Sequence, residues 1–136
     1  MYRSASVVQT GDERAQRAAL TDIYFLLTEG EVSRWHRVRS DEVWHFLEGD
    51  ALELHQAETG FVTVATSRLG LPGESTEPVH VIPANAWQAA RTLGKYTLVS
   101  CTVGPGFEYA DFELLKNVPV EAAALRFTQP QLAHFI

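Results

Sequence analysis

Short apolar runs, many of them alternating with polar residues, recur along most of the chain and are separated by Gly, Pro, Asp and Asn. A period of two puts successive side chains on opposite faces of an extended strand, so this pattern predicts half-buried strands. The predicted strands are Asp22 to Leu27, Ser33 to Arg39, Val43 to Phe46, Ala51 to Ala57, Phe61 to Ser67, Val79 to Ile82, Gln88 to Leu93 and Tyr96 to Val103. Between them, Glu48-Gly49-Asp50, Glu58-Thr59-Gly60, Pro72-Gly73-Glu74 and Gly104-Pro105-Gly106 supply residues that tolerate positive φ or preset a turn. Such connections leave no room for crossover helices, which predicts antiparallel pairing in a sandwich or barrel. Two segments break the pattern. Asp12 to Leu20 reads as a helix or an extended arm, and the Ala-rich run Val120 to Phe127 reads as a short helix. The expectation is one all-β domain over residues 1–136, with residues 1–20 as an N-terminal arm and 114–136 as a C-terminal extension.

Composition narrows the function classes. With 46% hydrophobic residues, the chain can bury a core without disulfides or a structural metal. Its 17 acidic against 11 basic residues give a net charge of −6, which disfavours phosphate backbones, so nucleic acid is not an expected partner. The single cysteine, Cys101, excludes an internal disulfide and fits a reducing compartment. The N-terminal residues lack the apolar core of a signal peptide, and no apolar run approaches the ~20 residues of a membrane span. A cytoplasmic protein with no membrane partner is expected.

The chemistry concentrates in Gly30 to Gly49, GEVSRWHRVRSDEVWHFLEG, where Gly30, His36, Glu42 and Gly49 stand at regular intervals and Val38 lies two residues beyond His36. Residues two apart in a strand share a face, so His36 pairs with Val38, and Glu42 with Trp44 and Phe46. If His36 and Glu42 face inward, they sit in a mostly apolar pocket with a few convergent polar groups, the usual make-up of a small-molecule site. Imidazole and carboxylate together suit Zn, Mn, Ni or Fe, whereas a His36 hydrogen-bonded to Glu42 or to a backbone carbonyl needs no metal. His45 is out of phase with Glu42 and faces outward unless a bulge re-aims it. Further along, Pro83-Ala84-Asn85-Ala86 reads as a turn leading into the strand predicted from Gln88, and Asn85 tolerates positive φ there.

These two segments resemble the paired signatures of the cupins. In that family the first signature reads Gly, His-x-His, Glu and Gly, and the second reads Pro-x-Gly, His and Asn. Here Val38 replaces a histidine, Asn85 a glycine, Gln88 a histidine and Thr92 an asparagine. The likeness extends through Tyr2-Arg3-Ser4, Thr21 to Leu27, Ser33 to Val38, Ser40 to Phe46, Val81 to Ala84 and Cys101 to Phe107, but not beyond Glu113. The chain is thus similar to small single-domain cupins, related in fold to seed storage proteins and dTDP-4-dehydrorhamnose 3,5-epimerase. The resemblance implies an antiparallel double-stranded β-helix, the jelly-roll or cupin barrel, usually paired as a homodimer.

The functional expectation is a small-molecule pocket of an isomerase- or epimerase-like enzyme acting on a carbonyl-bearing metabolite such as a sugar derivative. His36, Glu42 and Gln88 would hold a divalent metal, and His45, Tyr24 or Glu108 would move the proton. Without metal, His36 is the general base and Glu42 orients it. The alternative is a non-catalytic module that binds a small ligand. Trp44 and Phe46 are the expected ligand walls, with Val38, Trp87, Cys101, Phe107 and Glu108 completing the contact set. Cys101 itself packs as a small hydrophobe rather than a nucleophile.

Overall fold

The computed structural model describes residues 1–136, in the order β1 (Tyr2–Arg3), β2 (Val7–Gln9), β3 (Gln16–Ala18), β4 (Thr21–Thr28), β5 (Val32–Val38) and β6 (Asp41–Gly49). There follow β7 (Leu52–Ala57), β8 (Val64–Leu69), β9 (Val79–Ile82), β10 (Trp87–Thr92), β11 (Tyr96–Gly104), β12 (Phe112–Leu114) and the helix α1 (Pro119–Thr128). Short 3₁₀ turns lie at Tyr109–Asp111, Leu115–Asn117 and Pro130–Phe135. All eight predicted strands are present, and Val79–Ile82 has the predicted bounds. The predicted helix is α1, extended by a residue at each end and opened by Pro119, whose missing N–H costs nothing in a first turn. No helix is long and apolar enough to cross a membrane.

The strands pair antiparallel into two five-stranded sheets, β1-β4-β11-β6-β9 and β12-β5-β10-β7-β8, with β2 and β3 forming a separate two-stranded ribbon. This corrects the expected barrel. Each large sheet ends on two edge strands and no strand of one pairs with a strand of the other, so neither closes into a jelly-roll barrel. The reason lies in the corners. The chain passes from the first sheet to the second after β4, β6 and β9, and at those three points Gly30 (φ 84°), Gly49 (φ 97°) and Asn85 (φ 69°) take left-handed backbone. Each residue turns the chain sharply out of one sheet and ends its ladder there. At Gly49 a side chain is excluded as well, because a Cβ would lie 2.4 Å from the Tyr96 carbonyl oxygen.

The helical alternative for Asp12 to Leu20 also falls. Asp12 accepts hydrogen bonds from the Thr10 hydroxyl and the Arg14 backbone N–H, which builds a local turn and sends Gln16–Ala18 back along β2. Arg17 then clasps Asp111 through Nε and Nη2, at 2.8 and 2.9 Å, and ties the ribbon to the far side of the domain.

Two hydrophobic clusters result. The first fills the space between the sheets and includes Leu27, Trp44, Leu52, Leu54, Leu69, Ile82 and Val99. The second lies on the outer face of the β12-β5-β10-β7-β8 sheet, where Trp35, Ala57, Trp87 and Ala89 meet Leu115, Ala122, Leu125 and Phe135 from the C-terminal segment. That segment is therefore a cover for one sheet face. It is fastened by the Trp35 indole N–H to the Leu132 carbonyl (3.1 Å) and by Arg34 Nη1 to the Ile136 main-chain oxygen (2.6 Å). Because Leu125 is fully buried at this contact, Leu125→Ala is expected to cost about 2–5 kcal/mol, measured by urea unfolding. A loss below about 1 kcal/mol would show that the cover is not part of the cooperative core.

Candidate functional site

Between the sheets, at the end where β4, β5, β6, β11 and β12 come together, lies a cavity of about 610 Å³. Strand phase decides which side chains enter it. On β6, Glu42 and Trp44 point inward; on β11, Cys101 and Val103; on β4, Thr21, Ile23 and Phe25; on β5, Arg34, His36 and Val38. Phe107, Tyr109, Phe112 and Leu114 close the remaining side. Twelve of the seventeen lining residues are apolar, so the wall is oily with a few polar points.

The polar points are organised by one glutamine. Gln88, on β10 and almost fully buried, donates from Nε2 to a Glu42 oxygen at 2.6 Å, while its Oε1 accepts the Trp44 indole N–H at 2.8 Å. A carboxylate side needs a donor and an indole N–H needs an acceptor, which fixes the orientation of the amide. Burial drives the Glu42 pKa above its ordinary value; the charge of His36 and the hydrogen bonds from Gln88 and Cys101 act against that rise. The same burial pushes the Cys101 thiol well up, with the charges of Glu42 and Asp22 adding to it, so this cysteine is no nucleophile. His36 faces the same cavity from the opposite sheet. Its Nδ1 lies 2.7 Å from the Arg34 carbonyl oxygen, an acceptor, so Nδ1 is the donor in this contact.

A metal does not fit this set. Val38 has no donor atom, the Gln88 oxygen is already committed to Trp44, and a Glu42 oxygen is taken up by Gln88. No group of three or more His, Cys, Asp or Glu side chains is placed to hold an ion. The expected set of His36, Glu42 and Gln88 with Zn, Mn, Ni or Fe is therefore replaced by a hydrogen-bonded cluster.

Of the residues expected at the site, His36, Val38, Glu42, Trp44, Cys101 and Phe107 line the cavity. Six others do not: Gln88 lies behind the wall on Glu42 and Trp44, and the remaining five are elsewhere. Tyr24 is 78% exposed on the outer face of the first sheet, in register with Ser100, which pairs in turn with His45. His45 is thus outward, as its phase required. Trp87 is buried in the outer cluster under α1, because its neighbour Gln88 takes the inward direction. Phe46 packs against the inter-sheet core beyond the cavity, and Glu108 accepts a hydrogen bond from Arg3 at 3.0 Å outside it. His80, bonded to Glu77 and Gln56, is not a lining residue, although it pairs across from Trp44. Sequence reasoning missed Arg34, Ile23 and Phe25, although each follows from phase: Arg34 shares a face with His36, and Ile23 and Phe25 flank the outward Tyr24.

Glu42 makes stability depend on pH in a defined direction. Its folded-state pKa lies above the 4.5 of a free glutamate, so the folded chain holds this proton more tightly than the unfolded chain. Stability is therefore lost as pH rises above 4.5 toward the folded value, and is unaffected well below it. Glu42→Gln removes this dependence. The melting temperature of the variant minus that of the parent should climb as pH is raised through this window; parallel curves would refute the buried neutral carboxyl.

A family model described as Cupin superfamily (DUF985) matches residues 1–115. A hypothetical protein of Leishmania major is 30% identical, covers 100% of this chain and 84% of its own, and superposes with a TM-score of 0.81. A protein of Shewanella oneidensis is 32% identical over 98% of this chain and 78% of its own, with a TM-score of 0.78. A dTDP sugar isomerase of Desulfovibrio desulfuricans shares the fold alone, at 12% identity, 80% coverage of both chains and a TM-score of 0.59. No protein with curated function matches. The Gly30, Gly49 and Asn85 corners, the inward His36 and Glu42, and the match across residues 1–115 lead to one conclusion: the chain belongs to the DUF985 family of the cupin superfamily.

Proposed function

We propose that this cupin binds a small carbonyl-bearing metabolite between its sheets and isomerises it by metal-free proton transfer between Glu42 and His36. The observation that supports the reading is geometric: a buried carboxyl, Glu42, and an imidazole, His36, whose Nδ1 is engaged by the Arg34 carbonyl, line one apolar cavity from opposite sheets. Glu42 protonates the carbonyl oxygen while His36 Nε2 takes a proton from the adjacent carbon, which gives an enol. Return of the proton to the other carbon or the other face completes an isomerisation or epimerisation. Gln88 and Trp44 hold Glu42 in place, and the apolar wall keeps the pair dry. Kinship with a sugar isomerase contributes only the fold.

We also propose that the domain pairs as a homodimer through the outer face of its first sheet. The C-terminal segment covers the outer face of the second sheet, whereas the outer face of the first leaves Tyr24, Leu26, Val79 and Val81 exposed with nothing over them. The sole cysteine, buried and unpaired, is consistent with a reducing, cytoplasmic setting.

Proton exchange tests the catalytic reading. In D₂O, a panel of 2-oxo acids, aldoses and ketoses is followed by proton NMR for loss of the hydrogen next to the carbonyl. His36→Ala and Glu42→Gln should each lower the enzyme-dependent rate by about 10²–10⁴-fold. Saturable binding without exchange would leave a non-catalytic binding module. Sedimentation velocity tests the assembly: Tyr24→Glu combined with Val81→Glu should convert dimers to monomers, and a parent chain already monomeric at micromolar concentration overturns it.

A further inference from the structure

One cationic side chain, the solvent-exposed Arg34, is among the residues that line the cavity, and its geometry bears on the ligand class. Arg34 lines the wall from β5, on the same strand as His36, and its Nη1 is occupied by the Ile136 main-chain oxygen at 2.6 Å. The Nε and Nη2 edge remains, a planar fork of two parallel N–H donors suited to a carboxylate. The protein already uses this edge once, where Arg17 grips Asp111 through Nε and Nη2 at 2.8 and 2.9 Å. At Arg34 no side chain of the lining takes up this edge, since Glu42 is bound to Gln88 in the interior.

The rest of the wall sets the body of the ligand. Phe25, Phe107, Tyr109 and Phe112 surround the cavity, and few side chains offer hydrogen bonds. A sugar would leave most of its hydroxyls unpaired here, and a diphosphate would need more than one cation. We infer that the natural ligand is an apolar, ring-bearing monocarboxylic acid, its carboxylate clasped by Arg34 and its ring held among the phenylalanines. This rests on the pocket reading above and narrows it: the carbonyl that Glu42 would protonate belongs to a carboxylic acid with an aryl or similarly bulky apolar group. Arg34 is then the residue that selects for charge, distinct from the pair that moves the proton.

Calorimetric titration with 3-phenylpropionate and its neutral isostere 3-phenylpropionamide separates the charge from the ring. The parent chain is expected to bind the acid about tenfold or more tightly than the amide. Arg34→Gln should abolish that preference while leaving amide affinity unchanged, and Arg34→Lys should restore part of it. Thermal unfolding of each variant checks that the Ile136 contact has not been lost with the fold. Equal affinity for acid and amide in the parent, or an acid preference that survives Arg34→Gln, overturns the assignment. No heat from either probe also overturns the ligand class, while the Glu42 and His36 reading stands or falls on its own exchange measurement.

Discussion

The interior of this protein depends on a single amide. Gln88 sits on one sheet, and both of its partners, Glu42 and Trp44, sit on the other, so the one side chain bridges the sandwich through two hydrogen bonds. Removing it would leave the buried indole N–H without its acceptor, at a cost of about 1–3 kcal/mol, and would strip Glu42 of its amide donor. The bridge also determines the chemistry of the floor of the cavity. With its oxygen on Trp44, Gln88 has no free carbonyl to offer a metal, and by donating to Glu42 it fixes a carboxyl whose pKa burial raises.

Strand phase distributes the remaining roles. Each strand of the sandwich has an inner and an outer face, and here the four faces carry different tasks. The inner faces meet as a core at one end and as a cavity at the other. One outer face is sealed by α1 and the last 3₁₀ turn, with His55 buried beside Trp35 and Phe135 and hydrogen-bonded to Thr66 and Glu53. Burial lowers the pKa of that histidine, with Glu53 acting in the opposite sense, so it packs as a neutral polar group. The other outer face is left bare. Consecutive residues of β5 show how tightly these tasks are coupled: Arg34 faces the cavity and the C-terminal oxygen, Trp35 faces the cover, and His36 faces the cavity again.

Much of this was legible before any coordinates. Period-two alternation located every long strand, and the Gly30 and Gly49 corners, with Asn85 as the glycine substitute, take the left-handed backbone their residue types allow. Spacing also put His36 with Val38, and Glu42 with Trp44, on shared faces, and the fold turns those faces inward. The errors have physical causes. Trp87 and Gln88 were both expected at the site, but adjacent residues in a strand cannot both face inward, and the amide found two partners there while the indole found a hydrophobic cover. Tyr24 was favoured for its hydroxyl, although Ile23 and Phe25 on either side hold the inward phase.

The amino-acid order alone determined strand positions, corners, face alternation and the family, because each rests on local stereochemistry or on spacing within a few residues. Three matters were decided only in three dimensions. Whether the sheets close depended on which strands pair across a corner, and they remain open. Whether Gln88 serves a metal or a hydrogen bond depended on Trp44 lying opposite it, 44 residues away in sequence. And whether Arg34 has a free donor edge depended on Ile136 taking one nitrogen from a distance of 102 residues. Such long-range partners leave no periodicity in the sequence, because a hydrogen bond is specified by where two atoms arrive and not by how many residues separate them.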